Sequence, residues 1–280
     1  MNIRALPPLP TDPHECLVQG CDRPWEVAVD PFQVAPRTWY VGNNWVGAYL
    51  LESSAGLMLI DTTMQPQVYL VFESIRKLGF DPGQLKLILV SHMHYDHLGG
   101  VRPLVEATGA KVMMSREDWT FLQERPDQLL NSGRPFGVFT PDAFYDDATP
   151  VELGDRQVRT MLTPGHTPGT TSFFFDTTDN DGQSVLCGLH GGVGVITLTD
   201  EWLAEHDLPV AWRQDYLNSM LALREMPVGI TLGSHPAQVG MMDRVAEISP
   251  DHNPFVDPEI WPRLIDGRIA MIRKIMDQEA

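Results

Sequence analysis

Leu85-Lys86-Leu87-Ile88-Leu89-Val90-Ser91-His92-Met93-His94-Tyr95-Asp96-His97-Leu98-Gly99-Gly100 is the stretch around which the chain is organised. Its first six residues form an apolar run that reads as a buried strand. Three of the nine histidines follow within residues 92–97, with Asp96 just ahead of the last. Clustered imidazoles beside a carboxylate are costly to bury unless something binds them, and a divalent cation is the species that does. His92 and His94 lie two apart at a strand end, so both can point to one side. Asp96 and His97 fall in the following turn, and Gly99-Gly100 lets the backbone swing into the next helix. Four donors so close along the chain cannot all reach one ion; they can serve two ions a few ångströms apart.

Two sites need more donors. Thr163-Pro164-Gly165-His166-Thr167-Pro168-Gly169 displays a histidine on a turn stiffened by proline and glycine on both sides. Gly233-Ser234-His235-Pro236 repeats that logic after the apolar run Val228-Gly229-Ile230-Thr231-Leu232. Other candidates are Cys187 and His190, the latter flanked by Gly188, Gly191 and Gly192. His190 reads equally well as a substrate contact or as local structure. His14, His206 and His252 lack ligand spacing and read as surface residues.

Composition narrows the class. The 280 residues carry 20 Lys+Arg against 37 Asp+Glu, a formal net charge of −17. That charge argues against a broad electrostatic surface for nucleic acid or anionic membrane. A hydrophobic content of 43% is ample for a core. No apolar run of about 18 residues predicts a membrane span, and no apolar h-region opens the chain. Three cysteines, Cys16, Cys21 and Cys187, do not suggest a disulfide scaffold. A cytoplasmic globular protein with a small-molecule substrate is the expectation.

Along the chain, residues 1–36 are rich in proline and read as an irregular segment. Residues 38–42 and 45–51 read as two strands joined at Asn43-Asn44, and 56–61 as a third. Asp61 ends that strand and is read equally as a turn former or as a residue that orients a site. Helical spacing covers 68–78 and 101–108, with strands at 85–90 and 111–114, and this βαβ alternation predicts an α/β layered fold. Ser115 caps a helix to Arg125. The irregular stretch 126–141 follows, and Phe136, Phe139, Phe144 and Tyr145 either seal the core edge or belong to a lid over residues 125–145. Strands are predicted at 151–153, 157–162, 171–176, 184–188 and 228–233, with a hairpin turn at Asp179-Asn180-Asp181-Gly182. Residues 216–226 read as a helix, and 258–276 as an amphipathic helix broken near Gly267. We expect one domain over 1–280, with 241–280 as a C-terminal helical extension.

His-x-His-x-Asp-His after a strand, followed by Thr-Pro-Gly-His-Thr-Pro-Gly, resembles the metallo-β-lactamase superfamily over residues 37 to about 240. The resemblance implies an αββα sandwich, two packed mixed sheets flanked by helices, with the metal site at one edge. Where the superfamily usually supplies a bridging aspartate, this chain has Gly188-Leu189. That departure is similar to the subclass of metallo-β-lactamases whose second zinc is held by aspartate and two histidines. On that resemblance His92, His94 and His166 would hold the first zinc, and Asp96, His97 and His235 the second, with Cys187 near the site but off the metal.

Imidazole and carboxylate donors without thiolate suit two zinc ions, with iron or manganese as alternatives. Two zinc ions sharing a water would ready a hydroxide for attack on a cyclic amide or ester carbonyl, and Asp96 would orient it. The resemblance implies a β-lactamase-like hydrolase, with a lactonase or other carboxylic ester hydrolase as the alternative. An iron-dependent oxidoreductase, a nuclease and a non-catalytic binding protein are the remaining readings. In the lactamase branch a serine on the late strand helps hold the β-lactam carboxylate; here the matching positions carry Gly188 and His190. Gly188, His190 and Phe136 are the expected substrate contacts.

Overall fold

The computed structural model describes residues 7–277. Helix α1 (Pro13–Asp22) opens it. The Asp12 carboxylate accepts from Glu15 N at 3.0 Å, and Pro13 takes the first helical position, where its missing N–H costs nothing. The expectation of an irregular segment over 1–36 is therefore corrected: the helix and strand β1 (Phe32–Ala35) lie inside it. Residues 1–6 of that segment lie outside the described residues. The helix forms because Cys16, Leu17 and Cys21 share a buried face. Neither Cys16 nor Cys21 is in a disulfide.

Strands β2 (Thr38–Tyr40), β3 (Tyr49–Ser53) and β4 (Gly56–Ile60) continue antiparallel. The connection between β2 and β3 is longer than a two-residue turn. The Asn43 side-chain oxygen accepts from both Trp45 N and Val46 N, which folds residues 41–48 into a loop instead of extending either strand. Helix α2 (Val68–Lys77) leads to β5 (Leu85–Leu89), the short α3 (Tyr95–Leu98), α4 (Val101–Thr108), β6 (Lys111–Met114), α5 (Arg116–Glu124) and β7 (Ala143–Phe144). Together these strands make a seven-stranded sheet in sequential order, with β4 to β7 parallel.

The second sheet has five strands in the order β12-β11-β10-β9-β8. They are β8 (Val151–Leu153), β9 (Arg156–Leu162), β10 (Thr171–Thr178), β11 (Ser184–Leu189) and β12 (Val228–Leu232). Between β11 and β12 lie α6 (Asp200–Glu205) and α7 (Trp212–Arg224); α8 (Met241–Arg244) and α9 (Ile260–Asp277) follow.

Alternation in the strands explains the layers. Phe173 and Phe175 of β10 face Met58, Ile60, Leu87 and Leu89 of the first sheet. Phe174 faces outward onto Tyr216 and Met220 of α7 and Trp261 and Ile265 of α9. Leu57 and Leu59 face the opposite way, onto Val71 and Ile75 of α2 and Leu104 of α4. The order is helix, sheet, sheet, helix, as the resemblance implies. Within 241–277, Trp261, Ile265, Ile269 and Ile272 pack in the outer layer, while Met241, Phe255, Ile260 and Leu264 join the cluster between the sheets; residues 278–280 lie outside the described residues. The predicted break at Gly267 is absent, because the buried faces on both sides of it, Leu264-Ile265 and Ile269-Ile272, keep the helix seated.

The aromatics of 136–145 seal the core edge. Phe139 is buried, Phe136 packs on the first-sheet cluster, and Tyr145 Oη donates to the carbonyls of Val90 and Met113.

Candidate metal centre

Three separate connections bring the donors together. Strand β5 ends at Leu89, and His92 and His94 follow it, His94 standing just before α3. Asp96 and His97 are carried on α3 itself. His166 sits between β9 and β10 on the Pro-Gly turn, where Gly165 has φ +132° and lies against Tyr216; a Cβ there would stand 2.5 Å from the Tyr216 Cα. His235 follows β12. The result is two groups, His92/His94/His166 and Asp96/His97/His235, each offering donor atoms within 4.8 Å of one another. All six sequence-predicted donors meet here.

The rings are aimed by hydrogen bonds on their far nitrogens. His166 Nδ1 donates to the Gly194 carbonyl at 2.9 Å, and His235 Nδ1 to the Trp45 carbonyl at 2.7 Å. Carbonyls only accept, so each ring is left with a lone pair on Nε2. His97 Nδ1 lies 2.8 Å from Asp61 Oδ2. The Ser91 hydroxyl donates to the same oxygen at 2.7 Å, which leaves it to accept from His92 Nδ1 at 3.0 Å. The Asp61 carboxylate also accepts from Ser91 N. Of its two sequence readings, orienting a site is the one the structure bears out. Asp96 Oδ2 stands 3.5 Å from Nε2 of both His97 and His235.

Burial, followed by the neighbouring imidazoles, holds His92 and His94 well below the usual histidine range. Burial likewise pushes His166 down to about 4 and lowers His235. His97 is the exception. Burial lowers it, but Asp96 and Asp61 outweigh that and raise it. Neutral rings with buried, inward lone pairs beside a carboxylate form a donor set that fits a divalent cation, typically zinc.

Sequence reasoning missed Asp118. It lies in the first turn of α5 and is fully buried. Its carboxylate accepts from Met93 N at 2.8 Å, Thr167 Oγ1 at 2.8 Å and Gly169 N at 2.6 Å. It therefore ties the His92/His94 stretch to the turn that carries His166. Burial raises the carboxyl to about 7 against those three hydrogen bonds. No local pattern marks such a residue, because its partners are 25 to 51 positions away.

His92, His94, Asp96, His166 and His235 lie at the floor of a cleft of about 820 Å³. Trp45, Leu17 of α1, Leu130 and Ile196 stand on its walls. His14, read as a plain surface residue, also lines it. Of the expected substrate contacts, Gly188 lies within β11, its Cβ position filled by Val228 and Phe174. Phe136 packs on the core, and His190 is buried, accepting from Gly192 N at 2.9 Å. The structure brings none of these three to the cleft wall. Cys187 points into the core between the sheets.

Residues 46–235 match the family described as the metallo-beta-lactamase superfamily. Among solved structures, the chain is similar to BJP-1, a subclass B3 metallo-beta-lactamase of Bradyrhizobium japonicum. The TM-score is 0.83 at 27% identity, covering 92% of this chain and 97% of that one. It is also similar to the native FEZ-1 metallo-beta-lactamase from Legionella gormanii, with TM-score 0.81 at 29% identity over 90% and 97% of the two chains. Among curated proteins it is 33% identical over 113 residues to the N-acyl homoserine lactonase AttM of Agrobacterium fabrum, 36% of this chain and 40% of that one. The chain spans about half the length of the curated relatives it matches. No helix among the described residues is long and apolar enough to cross a membrane.

Proposed function

The chain belongs to the metallo-beta-lactamase superfamily, and on that footing we propose that it is a zinc-dependent hydrolase with two metal sites that opens a cyclic amide or ester carbonyl. The observation that carries this reading is the meeting of two donor triads, five of whose six residues line one cleft, with His97 buried behind them. His92, His94 and His166 would hold one zinc; Asp96, His97 and His235 the other. Zinc bound there supplies a Lewis acid and a water acidified toward neutrality.

The chain's own residues do the positioning. Asp61 and Ser91 fix the rings of His97 and His92, while the Trp45 and Gly194 carbonyls fix those of His235 and His166. Asp96, whose Oδ2 stands 3.5 Å from Nε2 of both His97 and His235, would help hold the second zinc, and its carboxylate would orient the attacking water. No serine or cysteine nucleophile is required; the buried Cys187 thiol, raised by burial, faces the core.

The test is hydrolysis of a panel of β-lactams, lactones and aryl esters before and after chelation. Activity lost on chelation and restored by zinc supports the reading. Hydrolysis that survives complete metal removal sinks it.

A further inference from the structure

The walls of the cleft differ from its floor in a way that bears on which substrate enters. Among the described residues, no lysine or arginine lines it. The titratable groups on the wall are the carboxylates of Asp12 and Asp127 and the imidazole of His14. Asp127 is ion-paired with Arg125, whose guanidinium is shared between that carboxylate and the His206 carbonyl. Asp12 accepts from the amide of Glu15, and no lysine or arginine among the described residues pairs with it. Arg134, close along the chain to the wall residue Gly133, is committed to Asp22 at 2.9 Å. The rest of the wall is chiefly apolar: Leu17, Trp45, Leu130, Val193, Ile196 and Trp202.

An anionic arm lying on that wall would lose its water and meet hydrocarbon, the Asp12 carboxylate and an Asp127–Arg125 pair already satisfied, with no uncommitted lysine or arginine among the described lining residues. Burying a charge without a partner is among the costliest arrangements in a protein. The chain's formal charge of −17 adds a repulsive field at longer range. An uncharged, apolar arm meets neither penalty and gains by covering the indoles and aliphatic side chains. Positive charge at the donor cluster acts on the carbonyl at the floor, and the wall acts on whatever extends from it.

Resting on the hydrolase reading above, we propose that this cleft selects uncharged substrates with an apolar arm, such as acyl-substituted lactones and neutral esters, and discriminates against substrates whose arm carries a carboxylate. The selecting residues are Leu17, Leu130 and Ile196 together with the carboxylate of Asp12. The inference places α1, a segment outside the matched region 46–235, in the substrate wall.

The test uses a matched pair: a γ-butyrolactone bearing an octanoylamino arm, and the same lactone with that arm ended in a carboxylate. Turnover is measured on the zinc-loaded protein. Binding is measured by quenching of tryptophan fluorescence in the zinc-loaded protein and again after chelation, since Trp45 and Trp202 line the cleft. The neutral lactone is expected to have at least tenfold higher kcat/KM and tenfold tighter binding, with and without zinc. Ile196→Lys, which places a cation on the wall, should raise the acid-to-neutral ratio at least tenfold. Equal or tighter binding of the acid by the wild-type protein overturns the proposal, as does a ratio that Ile196→Lys leaves unmoved. If the neutral lactone binds preferentially and neither compound is turned over, the selectivity stands and the hydrolase reading fails.

Discussion

Asp61 Oδ2 lies 2.8 Å from Nδ1 of His97, and both side chains are 1% exposed. Asp61 also takes φ +59°, the left-handed region, to present that oxygen while its other oxygen binds the amide of Ser91. One carboxylate thereby serves donors of both triads, His97 directly and His92 through the Ser91 hydroxyl.

Asp61→Asn tests that arrangement with little backbone penalty, because asparagine also tolerates the left-handed region. Its amide cannot accept from all the donors that the carboxylate serves. Zinc affinity should fall by roughly 10–100-fold, as for other partners that orient metal-binding histidines. Competition with a chromogenic chelator measures it. Wild-type affinity would show that Asp61 is only a turn former.

Asp118→Ala should act on stability first. Two buried amides and a hydroxyl lose their acceptor, at a cost of roughly 3–5 kcal/mol. At about 2–4 °C per kcal/mol for a chain of this size, Tm should drop by on the order of 10 °C. Zinc binding should weaken as well, because the turn holding His166 loses its tie to Met93. Thermal unfolding with and without zinc separates the two effects.

Metal-free protein should lose stability as pH falls below about 6.5, the unperturbed histidine value. His166, lowered to about 4, stays neutral in the fold while its unfolded counterpart takes up a proton between pH 6.5 and 4. Protons therefore favour the unfolded chain over that window. His92, His94 and His235 shift the same way, as does His190, which burial lowers to about 3. His97 and Asp118 are raised, so their contributions grow as pH falls and oppose the trend. Five groups against two predict a lower Tm at pH 5 than at pH 7.5, and a shallower drop in His166→Gln. A Tm that rises toward pH 5 contradicts this balance.

Gly267→Ala should stabilise the protein. The position is exposed in the continuous α9, and a Cβ there meets nothing within 4 Å. Helix propensity and the lower entropy of the unfolded chain together give roughly 0.5–1 kcal/mol. Chemical denaturation at constant slope measures the gain. A loss would indicate that the helix does break there.

How much of this was legible in the sequence follows from the range of the interactions. His92 to His97 and the Pro-Gly turn at His166 were readable because residues a few positions apart carry the pattern. The layers were readable from the βαβ alternation over residues 56–114 and from the resemblance carried by the two histidine motifs. Asp118 was not, since its role exists only once three distant segments converge on it. Helix α1 was hidden by its proline-rich flank, though Asp12-Pro13 is a recognisable cap. Gly267 misled because a local propensity of under about 1 kcal/mol was weighed without the burial of Leu264, Ile265, Ile269 and Ile272 that overrides it. Gly188 was expected at the substrate from the resemblance; its Cα packs against Val228 and Phe174, and Phe136 packs partly buried against the first-sheet cluster.

The most direct test of the account is a zinc titration of the chelated protein, with bound metal and hydrolysis of a neutral lactone followed at each step. The account predicts two equivalents bound per chain, activity that is absent at zero zinc and maximal at two, and loss of one equivalent in both His166→Ala and His97→Ala. Full activity without zinc, or saturation at a single equivalent with His97→Ala unaltered, would contradict it.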